Sequence, residues 1–168
     1  LTWDCIDFKS GTITIKQQLQ KVRGTGGEYI LAPTKNGKSR IVALAKYVMQ
    51  ILTRQRKTQN EQRLKAGPAW SNPLDLVFTN SLGKNLCAQT VYLHFKKLAA
   101  EAGVPDARFH DLRHSYAVAA LRSGDDIKTV QENLGHHTAA FTLDTYAHVT
   151  DQMRKESAKR MDSFIEGI

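Results

Sequence analysis

A chain of 168 residues with 41% apolar side chains is long enough to bury one real core, and residues 1–168 are read as a single domain. Two cysteines, Cys5 and Cys87, exclude a disulfide framework and point to a reducing, cytoplasmic setting, while the lack of a signal-like start or of an apolar run of membrane-spanning length argues against secretion and a membrane partner. The net charge of +8, concentrated in residues 1–84, favours nucleic acid as the partner.

In chain order, GTITIKQQL alternates apolar and polar residues, with Ile13 and Ile15 on one face, and predicts a strand. A flexible RGTGG connection follows, then two more strand-like runs, EYILAP and SRIVAL. Between them TKNGK carries Asn36-Gly37, a strong hairpin-turn signal. The expectation is a small three-stranded antiparallel sheet at the N-terminal side of a mostly helical α+β fold. The period then changes. AKYVMQILTRQRKTQNEQRLKAG predicts a helix closed by Gly67-Pro68, and LVFTN a minor strand. CAQTVYLHFKKLAAEAG predicts a second helix with Val91, Phe95, Leu98 and Ala102 on one side and Gly103 as its stop. HDLRHSYAVAALRSG is a third helix, DIKTVQENLG a fourth, and FTLDTYAHV lies in a fifth. Residues 150–168 read as a terminal amphipathic helix displaying Met153, Met161, Phe164 and Ile165. At the other end, Leu1-Thr2-Trp3 resembles the interior of a domain, so the chain is expected to come from a longer protein.

The chemistry concentrates at the entrance of the third helix. His110 and Arg113, three apart, share a helix face and can converge on one ligand. A guanidinium offers planar donors that match two oxygens of a phosphate, and a helix N-terminus favours an anion. The plainer alternative is that His110 caps the helix and Arg113 pairs with Asp111 or another surface carboxylate. His110 and His114 also have the i, i+4 spacing that can bind zinc. However, Asp111-Leu112-Arg113 fills the interval, and an arginine there repels a dication, so no metal is assigned. Further on, LGHHTAAFTLDTYAHV brings His136 after a helix stop at Gly135, and then Tyr146. A phenol in that position is usually a half-buried hydrogen-bonding group, but it is a usable nucleophile once cations polarise a phosphate.

These stretches together resemble the catalytic domain of the tyrosine recombinases, the integrases of phages and conjugative transposons. HDLRHSYA resembles the family's His-x-x-Arg box, LGHH its second histidine box and TLDTYAHV the box around its nucleophilic tyrosine. LAPTKNGKSRIVAL resembles the β-hairpin that carries its catalytic lysine, by position Lys35. The resemblance implies site-specific recombination of duplex DNA, integrating and excising a mobile element in a bacterial cytoplasm, with no cofactor. Arg113, His110 and His136 would hold the scissile phosphate, Tyr146 would attack it to form a 3′-phosphotyrosyl link, and Lys35 would protonate the leaving 5′-oxygen. It also implies a homo-tetramer on DNA, with the terminal helix docking onto a neighbouring protomer; the plainer alternative is that this helix packs on its own domain. His137 adjoins His136 and Lys38 shares the turn with Lys35, so each is an alternative for its neighbour. His114 and His148 fall at packing positions of the family.

The resemblance places a further catalytic arginine just upstream of Leu1, and no residue here replaces it. A chain without that guanidinium is expected to cleave poorly, since losing one such donor costs about 10²–10³ in rate. Two rivals remain at this point: a type IB topoisomerase, which nicks and closes one strand by similar chemistry, and a non-catalytic DNA-binding module.

Overall fold

The computed structural model describes residues 1–22, 28–135, 155 and 157–167. The RGTGG connection lies outside them, as do His136, His137, Tyr146, His148 and Met153. The chain divides into two compact units, Leu1–Val91 and Tyr92–Ile168.

The first unit opens with a 3₁₀ turn, Trp3–Cys5, followed by strands β1 (Ile6–Asp7), β2 (Thr12–Ile15), β3 (Gln17–Lys21), β4 (Tyr29–Pro33) and β5 (Arg40–Ala43) and by helix α1 (Lys46–Ala66). An antiparallel three-stranded sheet is present, in the order β1-β2-β5, with Ile13 opposite both Ile6 and Val42. Its membership differs from the expectation. GTITIKQQL is two strands, interrupted at Lys16, whose ammonium is drawn to Asp4 at 2.7 Å. The apolar TITI half pairs within the three-stranded sheet, whereas the polar QQLQK half forms a separate ribbon with β4. The Asn36-Gly37 turn forms, with Gly37 at φ +66°, but the strands it joins pair with β3 and β2 rather than with each other.

Ile6, Leu52 and Val77 make the buried centre of this unit, packed by Leu1, Trp3, Ile13, Leu44 and Met49. Ile13 therefore anchors β2 on α1 through the apolar face its alternation predicts. The LVFTN strand contracts to single bridges, Thr2 to Leu76 and Thr79 to Asn85, while Val77 is wholly buried. A polar residue of α1 also stands inside: Gln59 is only 6% exposed. Its Oε1 accepts from the Trp3 indole N–H at 2.7 Å, and its amide donates to the Leu76 carbonyl, the Val77 carbonyl and Thr79 Oγ1 at 2.9–3.2 Å. Gln59 thus ties the N-terminal turn and the 76–79 segment to α1. Gln59→Leu keeps the volume but takes the acceptor from the Trp3 indole N–H and the donor from Thr79 Oγ1, while the Leu76 and Val77 carbonyls keep Asn72 and Gln55, and is expected to cost about 1–3 kcal/mol. Urea unfolding should show this as a lower midpoint at unchanged slope.

The second unit holds most of α2 (Ala88–Glu101), then α3 (Asp111–Arg122), α4 (Ile127–Leu134) and a helical stretch at 157–166. Gly103 (φ +76°) ends α2 as expected, but Leu98 is 63% exposed and Ala99 is buried. The inward stripe is Val91, Phe95 and Ala99, a four-residue spacing, so the predicted face was rotated by one position at its C-terminal end. Phe95 meets Phe109 edge to face at 5.4 Å between ring centroids. The turn after α2 is held by the Lys96 ammonium, which donates to the Pro105 and Ala107 carbonyls. Helices α3 and α4 pack through Ala117, Ala120, Leu121, Val130 and Leu134. Asp126 caps α4 by accepting from the Thr129 N–H at 2.9 Å, and Gly135 closes it in the left-handed region.

Candidate active site

Arg113 occupies the first turn of α3, its N–H bonded to the His110 carbonyl at 3.0 Å. His110 stands at the N-cap position and is exposed. Its side chain makes no capping hydrogen bond, because its backbone is already helical (φ −67°, ψ −24°) and the imidazole is carried away from the free N–H groups. The capping role considered from sequence is therefore absent. The other half of that alternative also meets a competitor. Asp111 binds Arg108, whose Nη2 lies 2.9 Å from Oδ1, and it also accepts the Arg108 backbone N–H at 2.9 Å. The Arg108 guanidinium and N–H hold the Asp111 carboxyl below the usual carboxylate range, with a smaller contribution from His114. Asp111 thus spends its charge on the turn preceding α3. The Arg108-x-x-Asp111 spacing was the available signal for that pair, and sequence reasoning missed it.

The Arg113 guanidinium also reaches the next helix, donating through Nη2 to the Leu134 carbonyl. Leu134 is the last residue of α4, and Gly135 turns the chain there at φ +66°. A second tie lies alongside it: Asn133 Nδ2 donates to Tyr116 Oη at 3.0 Å. Arg113 is consequently fixed at the point where the LGHH stretch leaves α4. His110 and His114 make an edge-on ring contact at 5.2 Å, and among the described residues no group of three His, Cys, Asp or Glu is placed to hold a metal.

Lys35 lies in the first unit, exposed on the turn between β4 and β5. Thr34 shapes this turn by donating to the Lys38 carbonyl at 2.7 Å and to Asn36 Oδ1 at 3.1 Å. The Gly37 N–H closes it on the Thr34 carbonyl at 2.8 Å. Of the five residues assigned from sequence, His110 and Arg113 stand at the start of α3, joined by a backbone hydrogen bond, and Lys35 lies on its own turn. His136 and Tyr146 lie outside the described residues.

The phage integrase family matches residues 1–153. The chain belongs to this family. The resemblance carried by the four boxes is thereby confirmed. A tyrosine recombinase XerC-like protein of Caldanaerobacter subterraneus subsp. tengcongensis is 30% identical over 98% of this chain and 45% of its own length. The tyrosine recombinase XerD of Staphylococcus aureus is 35% identical over 72% of the chain and 40% of its own length. This integrase-family chain thus spans less than half of either relative. Among solved structures, the Tn1549 transposon integrase in complex with transposon right end DNA superposes with a TM-score of 0.72 at 20% identity, covering 96% of this chain and 52% of that one. The XerA recombinase gives 0.67 at 20% identity over 94% and 50%. The fold is that of these recombinases, helical with small antiparallel sheets.

Proposed function

We propose that this integrase-family chain is a catalytic domain for site-specific recombination of duplex DNA, integrating and excising a mobile element in the bacterial cytoplasm. Residues 1–168 act together in it, and a covalent 3′-phosphotyrosyl link is the intermediate. Tyr146 gives up its phenolic proton to solvent and attacks the phosphorus in line, the bond to the 5′-oxygen breaks, and Lys35 supplies the proton that oxygen takes up. Negative charge gathers on the two non-bridging oxygens during attack. The Arg113 fork, with His110 and His136 beside it, stabilises that charge with no metal or cofactor. The ester to Tyr146 conserves the energy of the broken bond, so the strand is resealed to a new partner without ATP.

The observation that carries this reading is the placement of Arg113. Arg113 stands in the first turn of α3, just after His110, and its guanidinium is bonded to the α4 terminus from which His136 follows two residues later in the chain. The relatives named tyrosine recombinases support the chemistry, and the neighbour solved with transposon-end DNA supports the substrate class. In the assembly, four copies bind two DNA sites and the terminal helix of each docks on a neighbour. Met161, Phe164 and Ile165, which are 58–67% exposed, provide the apolar face for that contact.

The test uses a chain extended upstream of Leu1 to the length of the relatives, which restores the arginine expected there, together with a nicked suicide half-site. A covalent protein–DNA adduct that resists denaturation supports the proposal. Relaxation of supercoiled DNA without any recombination target would favour a topoisomerase. Reversible binding alone would reduce the protein to a DNA-binding module.

A further inference from the structure

One face of α1 and the turn at 70–75 enclose a cleft of about 520 Å³ in the first unit, lined by Trp3, Arg56, Asn60, Arg63, Trp70 and Asp75 among others. Arg56, Asn60 and Arg63 follow one another at helical spacing and form one wall. The floor is rigid. Trp3 is bonded to buried Gln59, and the Asn72 side chain both donates to and accepts from the Leu76 backbone, at 3.0 and 2.9 Å. Trp70 is seated on Gly83, where a Cβ would stand 2.9 Å from its ring and 2.8 Å from the Ser71 carbonyl. Arg56 rests over the rings of Trp3 and Phe8 at 5.6 and 5.7 Å, which holds its position. Among the described residues neither Arg56 nor Arg63 makes an ion pair, and Asp75, although it lines the same cleft, is not paired with either.

We propose that this cleft binds a nucleotide unit, with its phosphate on the Arg56 and Arg63 guanidinia and its base on the Trp70 indole. Planar guanidinia match phosphate oxygens, and two of them without carboxylate partners have no ion pair to give up on binding. An aromatic ring fixed at its back takes a base by stacking, irrespective of sequence. Two guanidinia against one carboxylate leave a single positive charge, which suits one phosphate and disfavours a di- or triphosphate. The volume lies within the range of small-ligand sites. An acidic peptide would use the guanidinia but leave the indole unused. The same chemistry is offered by a free mononucleotide and by one residue of a single strand. None of these residues belongs to the strand-cleavage set, so the site stands apart from that reaction.

Trp3 and Trp70 are the two tryptophans of the chain and both line the cleft, so intrinsic fluorescence reports its occupancy. The 168-residue chain is titrated with thymidine monophosphate, with single-stranded oligothymidylate and with inorganic phosphate. Saturable quenching is expected, weakened about tenfold by Arg63→Gln, the loss of one charge-assisted contact. Arg56→Gln should act similarly; the ring contacts to Trp3 and Phe8 are made by Arg56, so the Arg63 variant leaves them in place. Quenching by the monophosphate assigns the site to free nucleotide, and quenching by the oligomer alone assigns it to a strand. Either result supports the proposal. No saturable quenching, equal quenching by inorganic phosphate or by a glutamate-rich peptide, or insensitivity to both substitutions would overturn it.

Discussion

Arg113→Ala in the upstream-extended protein is expected to slow formation of the covalent adduct by about 10²–10³-fold, the usual consequence of losing one donor to a developing oxyanion. Affinity for the same duplex should stay within a few-fold, because most of the binding energy comes from other backbone contacts. Two functions of Arg113 must be separated, since its guanidinium also holds the Leu134 carbonyl at the end of α4. Arg113→Lys retains the charge and a donor for that carbonyl but lacks the planar fork. If Arg113 acts on phosphate, the lysine variant melts close to the parent and remains slow. Recovery of the rate by lysine would make the residue a structural tie between α3 and α4. Rate profiles on a nicked half-site, with filter binding and thermal melts on the same samples, distinguish the two.

Tyr146→Phe removes one oxygen and should remove the adduct altogether, leaving duplex binding at its original strength. The nucleophile has no substitute in a mechanism whose intermediate is an ester to that oxygen. Digestion of the trapped complex should yield a peptide bearing a nucleotide on Tyr146, identified by mass. A modified peptide from elsewhere in the chain, or adduct persisting in the phenylalanine variant, would assign the chemistry to another residue.

The helical half of the fold was readable because its signals are local. Asp126 and Gly135 bracket α4, Gly103 stops α2, and Gly67 ends α1, each acting through its own backbone preferences. Strand partnership was not readable, since it is decided at a distance. A good turn at Asn36-Gly37 could not reveal that β4 and β5 would each find another neighbour. Nor could the polar run of α1 reveal that Gln59, among many exposed polar residues, is the one that turns inward. The same division holds at the site. His110 and Arg113 share one helical turn, so their spacing in the chain is nearly their spacing in space. The Leu134 carbonyl is a backbone group twenty-one residues from Arg113, and no side-chain motif announces it. Lys35 has a local turn that the sequence spells out, whereas its part in a reaction depends on where the folded chain carries that turn.

The most direct measurement is the structure of the upstream-extended protein on its DNA site, with vanadate bridging the cleaved strand at the scissile position. The proposed mechanism predicts Tyr146 Oη in line with the metal centre that replaces phosphorus, at or within the near-attack range of about 3–3.5 Å. Arg113 should fork two of its equatorial oxygens, with His110 and His136 bonded beside it. Arg113 and Tyr146 directed into separate regions, with the vanadate held by other residues, would contradict it.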